Sequence, residues 1–348
     1  MSARQIETSA AIPHPRETPS LFGHREAERT LLHAYQSGRI PHAWLIGGAQ
    51  GIGKATLAYR MARFALAHRD PLAPDVQAAK SLAVDPSHPV ARHVAAGAHG
   101  GLLTLERTLN EKGVMRTVIT VDETRETISF FGSTAAVEGW RVCIVDTVDE
   151  LNANAANALL KILEEPPRQS LFLLVSHAPA RVLPTIHSRC RKLPLRPLAD
   201  DDVIRAVAEA ARISPDDPAL AQAAAAAEGS VARALTLLGG DVLKLHQRTA
   251  ALLNSLPRID PRELHALGDS LGGSDRAVLA AFVDSVDRWI AQRLRADDGN
   301  ANANLARLAR LAEVWENIGR AARETAEYNL ERKPLVFSVF GLLAEATR

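Results

Sequence analysis

Residues Leu45–Thr56 read Leu-Ile-Gly-Gly-Ala-Gln-Gly-Ile-Gly-Lys-Ala-Thr, and no other stretch limits the fold so tightly. The spacing is that of a phosphate-binding loop, G-x-x-x-x-G-K-S/T, set between a strand and a helix. Gly48, Gly53 and Lys54 fit, and Gly51 adds a further glycine to the cradle. Ala55 stands where a Ser or Thr hydroxyl holds magnesium. Thr56 follows, but helical periodicity turns it about 100° further round the axis, so it substitutes poorly. The apolar run Ala43–Ile46 predicts a buried strand before the loop. The apolar spacing of Leu57, Met61, Phe64 and Ala65 predicts a helix after it. Backbone N–H groups at the glycines and the helix N-terminus suit a phosphate anion. The pattern therefore predicts a nucleotide-binding fold whose own metal chemistry is impaired.

Bulk properties narrow the class. The 348 residues are enough for two or three domains. With 47% apolar and 23% charged residues the composition is that of an ordinary globular protein. A formal charge of +1 rules out a global basic field, so any nucleic-acid contact must be local. Aromatics at 4% argue against a base-stacking platform. Two cysteines, Cys143 and Cys190, fall in predicted strands and imply a reducing compartment such as the cytoplasm. No apolar run has the length of a membrane span, and no signal-peptide core opens the chain.

Strand-like and helix-like segments alternate from residue 20 to about 197, which predicts a parallel sheet covered by helices. Strands are expected at 43–47, 101–105, 117–121, 140–146, 170–176 and 190–195. Helices are expected at 24–36, 54–67, 122–133, 153–164 and 180–188. Residues 1–19, with three prolines among polar residues, predict a flexible lead-in. Residues 198–240 are alanine-rich and helical, with a helix starting after Gly229-Ser230. Residues 241–348 are helical to the end, with segments at 241–255, 261–270, 275–296, 302–328 and 334–346, and a turn at Asp297–Asn300.

A second motif supports the first. Arg141-Val-Cys-Ile-Val-Asp146 is an apolar strand ending in an acid, as in P-loop ATPases where the Asp orients magnesium and a following Glu activates water. Here Thr147 follows, and a hydroxyl is no general base near neutral pH. Asp149 and Glu150 lie further on. Phosphoryl transfer relies on positioning and charge neutralisation, so losing both groups leaves little hydrolysis.

Several further segments match a family. Asn152-Ala-Asn-Ala-Ala-Asn-Ala-Leu-Leu-Lys-Ile-Leu-Glu-Glu-Pro-Pro167 resembles the helix after the acidic strand in clamp-loader ATPases. Thr185-Ile-His-Ser-Arg-Cys190 resembles their Ser-Arg-Cys motif, and Phe22-Gly-His24 with Pro41–Leu45 resembles the opening of their domain. The resemblance covers residues 20–240. It implies an α/β P-loop AAA+ domain with a parallel sheet over 20–197. A small helical lid at 198–240 and an all-α collar bundle at 241–348 would follow. Ala55 and Thr147 set the chain apart from the family's motor subunits. The resemblance further implies a hetero-pentameric ring with gamma/tau and delta subunits, which opens a sliding clamp and loads it on primed DNA.

Within that resemblance Arg189 becomes an arginine finger reaching a neighbour's ATP in trans; its plainer role is a surface arginine at a helix C-terminus. Asp146, Gly48, Gly51, Gly53, Lys54 and Thr56 form the nucleotide site, for ATP or ADP with weak magnesium dependence. The family's sensor arginine falls at Ala232, with Arg233 beside it, and Ser176 or His177 takes the place of the polar sensor. Many members carry a four-cysteine zinc module after the P-loop helix. Residues 68–100 hold only His68, His88, His93 and His99, so no zinc is expected. Two rivals stand beside this reading: a motor ATPase using Thr56 with Asp149 or Glu150, and a nucleotide-sensing module outside replication.

Overall fold

The computed structural model describes residues 13–108, 116, 118–132, 139–272, 276–295, 301–328 and 330–347. The chain folds as two compact units, one ending at Leu235 and the other starting at Thr236. Residues 1–12 of the expected lead-in and the expected turn at 297–300 lie outside the described residues.

The first unit runs α1 (Arg25–Gln36), β1 (Ala43–Gly47), α2 (Lys54–Ala67), α3 (Pro74–Ala78), α4 (Pro89–Ala95), β2 (Leu102–Glu106), α5 (Val121–Gly132) and β3 (Arg141–Asp146). It continues with α6 (Ala153–Glu164), β4 (Ser170–Ser176), α7 (Pro184–His187), β5 (Arg191–Pro194), α8 (Asp200–Ala211), α9 (Pro218–Ala227) and α10 (Val231–Leu237). All strand pairs are parallel, in the order β2-β3-β4-β1-β5. The chain enters at β1, crosses to the far edge at β2, returns through β3 and β4, and finishes at β5 on the other side of β1. The strand order thus reverses around β1, and such reversals open a crevice at the strands' carboxyl ends.

The strands alternate strictly between two cores, as a period of two requires. Trp44, Ile46, Val142, Ile144, Leu171, Leu173 and Val175 join α1 and α2 on one face. Ala43, Leu45, Cys143, Val145, Phe172 and Leu174 join α6 and α7 on the other. β1 and β4 are buried along their full length, which explains their unbroken apolar text.

The expected strand at 117–121 does not form. Ile119 makes a single bridge to Leu151, and Val121 already opens α5. The apolar text there belongs to a buried bridge residue and the start of an amphipathic helix. The expected helix at 180–188 is divided into a short 3-10 turn at Pro179–Arg181 and the single turn of α7, because Pro184 starts a new helix at its first position. The lead-in is also shorter than expected. Residues 13–19 carry a 3-10 turn at Pro15–Glu17 and pack on α2. The buried Arg63 holds them by donating to the carbonyls of Arg16 at 3.2 Å and Thr18 at 2.7 Å. Prolines here stiffen a docked segment rather than mark a loose one.

Segment 68–100 is built without thiols. Val76, Leu82 and Val94 are buried in the same core as α2. The histidines serve locally: His88 Nδ1 accepts from Val90 N–H at the start of α4, His99 Nδ1 accepts from Gly101 N–H, and His68 pairs with Asp75 at 3.2 Å. Among the described residues no group of three or more His, Cys, Asp or Glu side chains is placed to hold a metal ion.

The second unit is all helical: α11 (Gly240–Asn254), α12 (Pro261–Ser270), α13 (Arg276–Arg295), α14 (Ala301–Glu327) and α15 (Arg332–Ala346). Its core joins Leu252, Leu267, Phe282, Val286, Ile290, Val336 and Phe340. Among the described residues no helix is long and apolar enough to cross a membrane.

Leu82 is fully buried in a segment held by apolar contacts, so Leu82→Ala should destabilise the protein by about 2–5 kcal/mol. Urea unfolding measures this; a loss under about 0.5 kcal/mol, the range of surface changes, would show that the segment is peripheral.

Candidate nucleotide site

The loop follows β1 at the reversal point, and its backbone conformation depends on glycine. Gly51 and Gly53 sit at φ 76° and 96°, in the left-handed region that side chains disfavour. A Cβ on Gly51 would also lie 2.9 Å from the Ala232 Cβ, because the start of α10 rests on the loop. Ala232 N–H donates to Gly51 C=O at 3.3 Å. The place of the family's sensor arginine is thus a methyl group against the loop. Arg233, one step round the helix, lies 4.0 Å from Glu228. As expected from Gly229-Ser230, Ser230 Oγ accepts from Arg233 N–H and caps α10.

Lys54, the first residue of α2, is buried. Its ammonium donates to the carbonyls of Gly48 (2.8 Å) and Ala49. Burial pulls its pKa down to about 8, against the opposing pull of Asp146 and Asp149. Asp146, at the end of β3, is pushed up by burial and by Glu106, its partner in the β2–β3 ladder; Lys54 acts against this. Lys54, Thr56 and Asp146 line one cavity of about 500 Å³ with Gly51, Gly53 and Ala55. Gly48, expected in the same site, is not part of the cavity lining; its carbonyl accepts from Lys54. Thr56 therefore reaches the cavity wall alongside Ala55, although its position on the helix is one residue late.

The carboxylates weighed as bases are both committed elsewhere. Asp149 accepts from Ser176 Oγ at 2.7 Å and from the N–H groups of His177 and Ala178, tying the end of β3 to the end of β4. Glu150 pairs with Arg107 at 2.9 Å. Thr147 is buried. His177 lines the cavity, and burial together with Lys54 pulls its pKa down to about 4, so it is neutral at physiological pH. Asn152 does what an N-cap does, accepting from Ala155 N–H at 2.8 Å, while Asn154 is exposed.

Sequence reasoning missed two walls of the cavity. One is the segment Pro13–Phe22, docked by Arg63 and by Arg60, which donates to Pro19 C=O at 2.6 Å. The other comes from α8 and α10, through Ala206, Glu209, Arg212 and Val231. It also missed His24, which sits at φ 52° and places Nε2 2.7 Å from Ile52 C=O, clasping the loop from behind. The first wall had no local signal, because what docks it is the distant Arg63.

Cavity size, glycine conformations and a buried lysine fit the phosphates of a nucleotide. Asp146 offers a carboxylate for magnesium, and Ala55 offers no oxygen.

Arg189 does not join this cavity. It precedes β5, whose Arg191 is level with Trp44 of β1. Arg189 is thus level with the start of β1, and Gly48 lies beyond its end. At about 3.3 Å per residue this separates the two by roughly 20 Å along the sheet. Its guanidinium, one-third exposed, donates to Thr185 C=O at 2.9 Å, to Ser188 Oγ at 3.3 Å and to the Glu164 carboxylate.

The Lys54 shift carries a pH signature. Its pKa is lower in the folded state, so between pH 8 and its ordinary 10.5 the unfolded chain holds the extra proton. Stability therefore rises with pH across that window. Relative to Lys54→Met, the wild-type protein should gain up to about 3 kcal/mol between pH 8 and 10.5. Urea unfolding at several pH values checks this; a constant difference would contradict it.

Comparison with known proteins places the chain. The family model for "DNA polymerase III, delta subunit" matches residues 23–199. The delta' subunit of Pseudomonas aeruginosa is 37% identical over 180 residues, covering 51% of this chain and 49% of that protein. The delta' subunit of Escherichia coli strain K12 is 33% identical over 231 residues, covering 66% and 64%. A gamma/tau subunit of Mycobacterium tuberculosis is 28% identical over 282 residues, covering 78% of this chain and 46% of the relative. The matched region thus spans between about half and two-thirds of these relatives. With the family match covering just over half of its residues and delta' relatives at 33–37% identity, the chain belongs to the DNA polymerase III delta' subunit family.

Proposed function

We propose that this chain is a stator-like clamp-loader subunit, working in the cytoplasm within a ring of gamma/tau and delta subunits. In that ring it helps load a sliding clamp on primed DNA. It hydrolyses little ATP itself and lends Arg189 to a neighbour's site. The observation that carries the reading is the place of Arg189: a one-third-exposed guanidinium at the end of the sheet away from its own P-loop. A group roughly 20 Å from its own phosphates serves phosphates only on another molecule. The home site lacks the complementary parts. Ala55 has no metal ligand, Thr147 has no carboxylate, and Ala232 replaces the sensor arginine. The motor alternative is weakened because Asp149 and Glu150 are held in structural contacts. The second unit, Thr236–Arg348, is the collar in this reading, and ATP or ADP is kept at the loop with weak dependence on magnesium.

Two outcomes are expected. The purified chain alone should turn over ATP far more slowly than about 1 per second, the low end for ordinary enzymes. Arg189→Ala, assembled with wild-type partners, clamp and primed DNA, should lower the ring's ATPase. A finger supplied in trans contributes about 10³–10⁵ in the best cases, and several sites share the work here, so at least a tenfold loss is the mark. Unchanged hydrolysis in an intact ring would refute the trans role. Folding should also be independent of zinc, since residues 68–100 offer no thiolate. A chelator should leave the melting temperature unchanged, and stoichiometric zinc in an untagged sample would contradict this.

A further inference from the structure

Arg189 is held by a residue from another element. Glu164 is the last residue of α6, where the negative end of the helix disfavours a carboxylate. A cation beside it removes that penalty, and Arg189 is that cation. The other holds on the guanidinium are Thr185 C=O in the single turn of α7, at 2.9 Å, and Ser188 Oγ, at 3.3 Å. A carboxylate at a helix end and two acceptors next to the arginine in sequence therefore fix the direction of one planar group. The Nε–H has no partner among the described residues. Both contacting side chains are partly exposed, at 32% for Arg189 and 49% for Glu164, so the pair lies open to another molecule. The platform under Glu164 is stiff: Pro166 and Pro167 follow it, and Ser170 Oγ donates to Pro167 C=O at 2.7 Å at the entry to β4.

We propose that Glu164 is the positioning residue for Arg189. Its carboxylate holds the guanidinium in one rotamer, aimed off this subunit, so that the free N–H edge meets the terminal phosphates of a nucleoside triphosphate on a neighbouring subunit. This inference rests on the trans role of Arg189 proposed above. An arginine side chain free to rotate loses most of its orientational advantage, and orientation is what a finger contributes. Glu164 does not touch the nucleotide and acts through Arg189 alone.

The test uses the full ring assembled with Glu164→Ala, Glu164→Gln, Arg189→Ala and the Ala/Ala double variant. Each is measured for clamp- and DNA-stimulated kcat and for KM of ATP. Glu164→Ala should lower kcat about tenfold, the scale of one charge-assisted hydrogen bond, with KM little changed. Glu164→Gln keeps an acceptor oxygen and should restore most of the rate. The double variant should be no slower than Arg189→Ala alone. Glu164→Ala with wild-type rates, beside an impaired Arg189→Ala, would overturn this inference and leave the trans role standing. So would a further loss in the Arg189→Ala background, or failure of the Glu164→Ala chain to enter the ring, since both mark a general structural role. Wild-type rates for Arg189→Ala in an intact ring would overturn the trans role itself, and this inference with it.

Discussion

Burial of β1 on both faces is the constraint from which the first unit follows. A strand with no solvent face must have a neighbour on each side and a helix layer above and below. β4 and β5 supply the neighbours; the side chains of β4 alternate into the same two cores, and β5 sends Leu193 into the first of them. The chain has no choice about where the loop after β1 emerges: it is the carboxyl end, at the point where strand order reverses. The parallel register of β5 likewise puts the residue before that strand at the other end. Phosphate cradle and guanidinium are held apart by the same hydrogen-bonded ladder. Neither can be moved without slipping a strand by whole residues, which would turn its core side chains to the wrong face.

Charge within the cavity is concentrated on one buried cation and the acid opposite it. Lys54 spends its donors on two carbonyls of its own loop, and an arriving phosphate would have to replace these contacts. Burial first, and then Glu106 and Glu150, push the Asp146 carboxyl above the usual carboxylate range, while Lys54 acts against this.

The parallel sheet, the glycine-dependent loop after β1 and most helices were legible because each has a local signature: unbroken apolar runs, helical spacing, glycine at fixed intervals. The helix at 153–164 was read to its ends because its cap, Asn152, is a local device. Other features escaped because they depend on distant partners. A run such as Val118–Val121 has strand-like text, yet its one bridge to Leu151 is decided by tertiary contact. The docking of residues 13–19 depends on Arg63, about 45 positions away, and nothing near the prolines announces it. Likewise Asp149 looks like a spare base in the text. Only the approach of β4 gives it three donors and removes it from chemistry.

The bonds made by Asp149 bear on what its neighbours can accept. A carboxylate placed at position 147 would stand where only 3% of the surface meets water. It would join Asp146, whose pKa is already raised, by burial first and then by Glu106 and Glu150. Packing and charge around Thr147 therefore both oppose an acid at that position, so a single substitution there would not by itself yield a well-placed carboxylate.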